Sequence, residues 1–391
     1  MKKALVIIIA LFLGNNGFSQ GIEFEHGSFA DALAKAKKEN KLVFMDCYTT
    51  WCGPCKYLAK NVFTQKKVGE FFNKNFINVK MDMESEAGKP LLKKYQVSAF
   101  PTLLWLDADG NIQHKTVGAG DAKSLIGSAS TALDPENNWG ALDKRFKNGD
   151  RNIEFLQKYI LTSSKAYIET KEAIEIYFSN RKPEQLINAK DVEIIAATVK
   201  STADPNYHFV LKNKEKFYAV AEKPVIDKFL ERTMLIELTQ LARKGDIESF
   251  ESKKKELTEL DEKIGEKVIA QTEMWMLQRD PDRKKFYNAL ADYTLKYEFD
   301  NSKNLNQYAW KIVEAKEDLG KEILNKALKM AKRSVDLDTN FANTDTYAYI
   351  LYKLGQKKEA REFASKSVEL ATDEQKTDLW SAQYLDGEAM K

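Results

Sequence analysis

The sequence contains little cysteine, which cross-links exported proteins, and little histidine, which with cysteine binds zinc and iron. Its 391 residues include three cysteines and three histidines. The three cysteines, Cys47, Cys52 and Cys55, all lie in the stretch DCYTTWCGPCK, residues 46–56. Because no cysteine follows Cys55, the chain lacks the framework of several disulfides that stabilises many small exported domains. The cysteines are concentrated where a chemical role would need them.

The scarcity of cysteine and histidine also argues against two kinds of metal site. The spacing of the three cysteines matches part of a plant-type iron–sulfur site, which needs a fourth thiolate that the chain does not possess. A closed zinc site takes four ligands, with histidine as the usual substitute for cysteine. The histidines, His26, His114 and His208, are dispersed along the chain. No metal is therefore expected, and the histidines are interpreted as surface or packing residues.

The chain has a single long apolar run, close to its start. Two lysines precede ten apolar residues at 4–13, a run shorter than the ~20 residues that span a bilayer. Gly17 and Ser19 supply small residues at the −3 and −1 positions of a cleavage site. The pattern predicts a secretory signal peptide over residues 1–19, with a mature chain that begins at Gln20. We therefore expect the protein in the periplasm or another extracytoplasmic space, without a lipid anchor or membrane span.

Charge of one sign does not dominate. Charged residues make up 30% of the chain, and the formal net charge is +3. Removal of Lys2 and Lys3 with the signal peptide would leave a charge of +1. A mixed surface of this kind predicts neither a nucleic-acid partner nor strong attraction to an anionic membrane.

The first third of the mature chain alternates helix and strand patterns. Ser28 followed by Asp31 predicts a helix N-cap, and Pro54 suits the first turn of a helix. The other predicted elements are strands at 41–48 and 76–83, a helix at 87–97, a hairpin at 101–118 and a helix at 121–133. This order predicts an α/β domain that covers residues 22–134.

The motif WCGPCK, at the junction of an apolar strand and a helix, resembles the active site of the thioredoxin superfamily. At a helix N-terminus, Cys52 would lie among free backbone N–H groups, which favour the thiolate that attacks a disulfide. Cys55, one turn further on, could resolve the mixed disulfide. The resemblance also implies that Trp51, Gly53 and Pro54 contribute to substrate binding.

Further positions match the same family. The resemblance implies that Asp46, in the preceding strand, is a buried acid that accepts a proton from the second cysteine. Lys80 matches the lysine that neighbours this acid. Pro101 matches the family's cis-proline, which would let the backbone of Phe100 pair with an extended substrate chain, and Gly118 matches a glycine on the same rim. The family chemistry implies no organic cofactor and no metal, because the cysteine pair itself carries the electrons.

Cys47 departs from the family pattern, which has an apolar or aromatic residue at this position. Strand alternation predicts that Cys47 and Asp46 point to opposite faces. Two interpretations of Cys47 stay open at this point. It is either a small buried hydrophobic residue, or a thiol that modulates or resolves the exchange.

The remainder of the chain is predicted to be helical. After a linker at 134–140, the sequence is rich in Lys, Glu, Ala and Leu at helical spacing. Near the end, AKRSVDLDT (331–339) recurs as ASKSVELAT (364–372), an offset of 33 residues. A period of this size, with two helices per unit, resembles the tetratricopeptide repeat. This resemblance implies an all-α helical-repeat domain over 135–391, with repeats near 305–375.

Together these patterns predict an exported thiol–disulfide oxidoreductase that reduces disulfides in periplasmic proteins. Gly-Pro between the cysteines resembles the reducing members of the family. The expected partners are substrate proteins with disulfides or thiols, and an upstream thiol protein, such as one in the membrane, that donates electrons. The alternative function is an adaptor, in which the helical repeats bind a protein partner and the redox pair is secondary or regulatory.

Overall fold

A four-stranded mixed sheet forms the centre of the N-terminal part of the protein. The structure, a computed structural model, describes residues 21–387, so the predicted signal peptide lies outside the described residues. The strands are β1 (Leu42–Tyr48), β2 (Phe76–Asp82), β3 (Thr102–Leu106) and β4 (Ile112–Val117). Their order is β2-β1-β3-β4; β1 runs parallel to β2 and antiparallel to β3, and β3 runs antiparallel to β4. The strand that leads into the cysteine stretch, β1, is therefore an inner strand.

The helices of the first compact unit continue past the sheet to Thr198. They are α1 (Phe29–Glu39), α2 (Gly53–Tyr57), a π-helical turn (Leu58–Val62), α3 (Lys66–Asn75), α4 (Gly88–Lys94), α5 (Ala122–Leu133), α6 (Trp139–Lys147), α7 (Ile153–Lys165), α8 (Lys171–Ser179), a 3₁₀ turn (Pro183–Leu186) and α9 (Ala189–Thr198). The predicted cap of α1 is present, because Ser28 and Asp31 exchange hydrogen bonds as a capping box.

The sheet has a hydrophobic core on each face, because side chains along β1 alternate. Phe44 packs with Trp105 and with helices α3 and α5 on one face. Met45 packs with Leu104 and with helices α1 and α4 on the other. Full burial of one such side chain contributes about 1.5–3 kcal/mol relative to exposure. Two covered faces explain why β1 is apolar along most of its length and not alternately polar.

Of the predicted linker 134–140, residues 134–138 form the turn between α5 and α6, and the last two residues begin α6. Asn138 caps α6 by accepting a 2.8 Å hydrogen bond from the N–H of Ala141. Gly140 then brings the helix against β4, where a Cβ would lie 2.7 Å from Gln113 Oε1. Helices α6–α9 belong to the same compact unit as the sheet. Whether the residues up to 134 fold alone stays a prediction.

The second compact unit begins at Val199 and is helical throughout its described residues. Its helices are α10 (Pro205–Lys212), α11 (Lys214–Tyr218), α12 (Lys223–Lys244), α13 (Ile247–Leu260), α14 (Glu262–Met276), a 3₁₀ turn (Leu277–Arg279), α15 (Arg283–Tyr297), α16 (Ser302–Val313), α17 (Gly320–Leu337), α18 (Phe341–Lys353), α19 (Lys357–Leu370), α20 (Asp373–Lys376) and α21 (Trp380–Leu385). None of the helices in 21–387 is long and apolar enough to cross a membrane.

The sequence repeat coincides with two helix pairs, α16 with α17 and α18 with α19. The equivalent alanines Ala327 and Ala360 are both fully buried, and so are the equivalent serines Ser334 and Ser367. Small side chains at these points let neighbouring helices approach closely. The predicted fold class, an α/β domain followed by a helical region, is confirmed. The assignment of the helix pairs to the tetratricopeptide repeat stays a prediction.

Candidate active site

Cys52 and Cys55 form a disulfide at the start of α2. Cys52 is the N-cap residue, and its sulfur accepts a 3.1 Å hydrogen bond from the backbone N–H of Cys55. Pro54 lies in the first turn, where its missing N–H leaves no intrahelical bond unmade. Both cysteines are buried, at 3% and 4% exposure, whereas Gly53 and Pro54 between them are exposed. A partner must therefore dock closely against this surface to reach either sulfur.

An aromatic pair lies beside the disulfide. Trp51, directly before Cys52, is 65% exposed. Its ring lies 5.9 Å from the ring of Phe100 in an edge-on arrangement, and its indole N–H donates a 3.0 Å hydrogen bond to Glu84. The peptide bond between Phe100 and Pro101 is cis. The structure thus brings Trp51 and Phe100 together, and it adds Glu84, which the sequence analysis missed.

Gly118 lies on the same rim as Pro101. Its N–H donates a 2.8 Å hydrogen bond to the carbonyl of Pro101. Its φ of +96° lies in the left-handed region, which glycine adopts readily. A cavity of about 190 Å³ extends from Gly118 to the apolar side chains of Leu58 and Leu103. This cavity can accept an apolar side chain of a bound peptide.

The buried Asp46 and the partly exposed Lys80 form an ion pair across two strands of the sheet. The two residues are direct partners in the parallel register of β1 and β2. Asp46 Oδ2 lies 3.7 Å from Lys80 Nζ, within ion-pair range. Neither carboxylate oxygen has a hydrogen-bond partner in the described part of the chain. Alternation puts Asp46 on the Phe44 face, which the helical segment after Cys55 covers.

The environment of Asp46 makes its carboxyl a proton acceptor near neutral pH. Burial raises the pKa of Asp46 to about 6, and the Lys80 charge opposes part of that rise. A group with such a pKa is populated in both protonation states at neutral pH, where general acid–base catalysis is most effective. The pair can therefore accept a proton and release it again.

Known proteins identify the family of this region. The thioredoxin family model matches residues 21–131. Thioredoxin from Echinococcus granulosus is 39% identical over 92 residues, which cover 24% of this chain and 79% of that protein. The chain belongs to the thioredoxin family.

Other relatives share the thioredoxin part but differ in length. The thiol:disulfide interchange protein DsbD of Pseudomonas fluorescens is 30% identical over 98 residues, which cover 24% of this chain. The chain spans 17% of the length of that protein. The solution structure of a protein from Bacteroides thetaiotaomicron, assigned as a disulphide-isomerase, is 47% identical, covering 29% of this chain and 94% of its own, with a TM-score of 0.28.

Three aromatic rings surround the Lys80 ammonium of the thioredoxin domain, a feature that the sequence analysis missed. Its nitrogen lies 4.9 Å from the ring centroid of Tyr48, 5.6 Å from that of Phe24 and 5.9 Å from that of Phe63. One such contact contributes ~0.5–1 kcal/mol at an exposed site and more where water is excluded. The rings come from separate parts of the chain. Alternation could have indicated Tyr48 alone, because it shares a face with Asp46.

Cys47 lies on the opposite face of the sheet from Asp46, as alternation predicts. It is fully buried and carries a free thiol. Burial raises the pKa of Cys47 well above its usual range, the Asp46 charge adds to the rise, and Lys115 opposes it. Lys115 is itself buried and donates to the carbonyls of Tyr95 and Gln96 over 3.4 and 3.2 Å. A thiol held protonated is a poor nucleophile, which favours the packing interpretation, although its role stays a prediction.

The three histidines do not converge on the cysteines. His26 and His208 are exposed. His114 is buried in β4 beside Trp105, with 5.6 Å between ring centroids, and burial lowers its pKa to about 4. In residues 21–387, no three His, Cys, Asp or Glu side chains form a group that could hold a metal ion.

Proposed function

We propose that this protein is an exported thiol–disulfide oxidoreductase that reduces disulfides in proteins of the periplasm or another extracytoplasmic space. The observation that carries the proposal is the Cys52–Cys55 disulfide at a helix start, shortly after the strand that holds the buried acid Asp46. Membership of the thioredoxin family supports it. Export rests on the signal-peptide pattern of residues 1–19.

The first step is attack by Cys52 on a substrate disulfide. The backbone N–H groups at the start of α2 favour the Cys52 thiolate. The thiolate forms a bond to one substrate sulfur, the substrate S–S bond breaks, and the other substrate sulfur leaves as a thiolate that takes up a proton. Because Cys52 is almost fully buried, a disulfide reaches it only from a chain docked on the surrounding surface.

The second step is resolution of the mixed disulfide by Cys55. Its thiol gives a proton to Asp46, and the Cys55 thiolate attacks the sulfur of Cys52. The Cys52–Cys55 disulfide forms while the second substrate thiolate leaves, so two electrons have passed from the cysteine pair to the substrate. A dithiol protein upstream, in the membrane or outside it, then returns the pair to its reduced form. The reaction uses no organic cofactor and no metal.

The exposed side chains around the disulfide hold the substrate. Trp51 and Phe100 present an aromatic surface, and the backbone of Phe100 before Pro101 pairs with an extended chain. Gly53, Pro54 and Gly118 lack bulky side chains, so that a substrate backbone can approach closely. The cavity beside Gly118 takes an apolar side chain of the substrate.

The direction of transfer is tested by the reduction potential of Cys52–Cys55 in a glutathione buffer. We expect a value near the ~−270 mV of reducing thioredoxins. A value near the ~−120 mV of strongly oxidising relatives would reverse the assignment to that of an oxidase. Reduction of a protein disulfide by the reduced full-length chain, with Cys52→Ser as the inactive control, tests the activity itself.

An adaptor function is a second candidate, favoured by an exposed feature of the helical unit. Trp275 is 38% exposed and Met276 50% exposed. A groove of about 510 Å³ between α14 and α15 is lined by Met274 and Leu277, which flank these two residues in the sequence, and by Tyr293. An adaptor would capture its partner through the full-length chain even with Cys52 and Cys55 both changed to serine. Loss of capture in that double variant would leave the enzyme as the sole candidate.

A further inference from the structure

The position of Lys80 is set by more than its ion pair. The ammonium is 3.7 Å from the Asp46 carboxylate, longer than a charged hydrogen bond. A lysine stem is flexible, so an ion pair of this length leaves the ammonium several positions. The Lys80 side chain is also one third exposed, and water competes for its charge. Another set of contacts must keep the ammonium at the carboxylate.

The three aromatic rings supply these contacts. Tyr48 is nearest, with its ring centroid 4.9 Å from the ammonium nitrogen. The ring of Phe24 packs on that of Phe63, with 5.7 Å between centroids, and these centroids lie 5.6 and 5.9 Å from the same ammonium nitrogen. A ring face attracts a cation and provides no competing hydrogen-bond acceptor. An ammonium enclosed in this way remains available to Asp46.

Tyr48 is placed for this role by strand register. Asp46 and Tyr48 share a face of β1, and their partners in β2 are Lys80 and Asp82. The Tyr48 ring is therefore the diagonal neighbour of Lys80 across the two strands. The ring is half-buried, and its centroid lies 4.9 Å from the Lys80 ammonium nitrogen.

We propose that Tyr48 is a positioning residue, whose ring, with those of Phe24 and Phe63, holds the Lys80 ammonium beside Asp46. The proposal rests on the proposed function, because it concerns how Asp46 handles the proton of Cys55. With the ring in place, Asp46 feels a nearby positive charge and releases its proton more readily.

Other charges around the pair are fixed or distant. Asp82 is the register partner of Tyr48 and remains in place when Tyr48 is changed. Cys47 and Lys115 lie on the opposite face of the sheet. Lys56 and Lys60, on the helical segment after the cysteines, are exposed. A change at Tyr48 therefore reaches Asp46 through Lys80.

The test is the titration midpoint of Asp46, measured by carboxyl ¹³C NMR on the oxidised full-length protein. Tyr48→Leu should raise the midpoint by about 0.5–1 pH unit, towards the value of Lys80→Met, since the ammonium is no longer held. Tyr48→Phe keeps the ring and should match the parent. If Tyr48→Leu does not fold, Phe24→Leu removes another ring and should raise the midpoint in the same direction.

Two results would overturn the proposal. One is an unchanged midpoint in Tyr48→Leu (or in Phe24→Leu, if that variant replaces it) while Lys80→Met is raised. The other is an equal shift in Tyr48→Phe, which would assign the effect to the hydroxyl and not to the ring.

Failure of the proposed function has a different signature. A parent protein that does not reduce a protein disulfide contradicts the proposed function, whatever the NMR midpoints. In an active parent, the pH of half-maximal resolution by Cys55 should rise in Tyr48→Leu together with the Asp46 midpoint. If the Asp46 midpoint rises in Tyr48→Leu but the pH of half-maximal resolution does not, the link between Tyr48 and Cys55 is overturned.

Discussion

Asp46 and Cys47 are adjacent in one strand, yet their surroundings differ. Both are buried, and each has a lysine on its own face of the sheet. The lysine of Asp46 is one third exposed and the carboxylate has no hydrogen-bond partner among the described residues. Cys47 faces a closed core, where Lys115 is bound to backbone carbonyls. Two buried neighbours on one strand can therefore differ in solvent access, because the lysine beside Asp46 is partly exposed and the lysine beside Cys47 is buried.

The largest expected effect comes from the cysteine pair of the disulfide, Cys52 and Cys55. Cys55→Ser should accumulate covalent adducts with substrate proteins, because the second thiol is needed to break the mixed disulfide. Cys52→Ser should accumulate almost none. Non-reducing gels of both variants, with and without added reductant, measure the difference. Adducts that appear in Cys55→Ser only after Cys47 is also removed would make Cys47 a resolving thiol and erase the contrast between the faces.

Asp46→Asn should slow resolution by Cys55 by about 100-fold at neutral pH, the usual scale for loss of a general base. Attack by Cys52 should be nearly unaffected. Rapid-mixing measurements with a disulfide substrate separate the two steps. A variant with slow attack and normal resolution would show that Asp46 does not serve Cys55.

The same substitution should change stability with pH. The folded pKa of Asp46, about 6, lies above its ordinary value of 3.8, so the folded protein holds this proton more tightly than the unfolded chain does. Stability is therefore lost as pH rises through that interval. Asp46→Asn should stabilise the protein by up to roughly 3 kcal/mol above pH 6 and by much less near pH 4. Urea unfolding at the two pH values is the measurement, and equal gains at both would contradict the raised pKa.

The two lysines give a matched pair with a smaller effect. Lys80→Met should shift the pH profile of the exchange rate to higher pH, because the pKa of Asp46 rises when its neighbouring positive charge is lost. Lys115→Met should leave that profile unchanged. Its cost is in stability, about 1–2 kcal/mol, because two backbone carbonyls lose their donor. A shifted pH profile in Lys115→Met would mean that the two faces are electrostatically coupled.

The smallest effect is expected at Cys47. Cys47→Ala should exchange disulfides like the parent and cost about 1 kcal/mol of stability, as a small cavity would. Reaction of the parent with a thiol reagent, with the other two cysteines held as a disulfide, should be slow until the domain opens. Rapid labelling in the native state would contradict a purely packing role.

The sequence could predict the α/β order because each element carries a local signal. The Ser28 cap, the hairpin at 101–118 and the short apolar run of β1 depend on neighbouring residues. The opposite orientation of Asp46 and Cys47 followed from alternation alone. Contacts between distant segments carry no such signal. The ring of Phe24 reaches Lys80, and the helices after residue 134 join the first compact unit, only once the chain has folded.

The resemblance indicated the buried acid Asp46, but nothing in the sequence indicated the buried lysine Lys115. A lysine is usually exposed, and the sequence of β4 is typical of a strand with one face in solvent, so Lys115 would be expected at the surface. It is buried because the carbonyls of Tyr95 and Gln96, at the end of α4, accept its hydrogen bonds. Gln96 has a positive φ of 48°, a conformation that the sequence around it does not predict. Glu84 is exposed and was missed for a different reason, since its bond to Trp51 joins residues 33 positions apart.

The covered edges of the sheet bear on the kind of substrate proposed here. Unfolded chains can add as an extra strand wherever an edge shows unpaired N–H and C=O groups. The start of α6 lies against β4, so that a Cβ added at Gly140 would lie 3.0 Å from the Ile112 carbonyl oxygen. On the far side, Glu25 donates to the Asn78 carbonyl of β2, and Asn78 returns a bond to Glu23. Both edges are thus partly occupied, so fewer N–H and C=O groups are left with which an extended substrate chain could join the sheet.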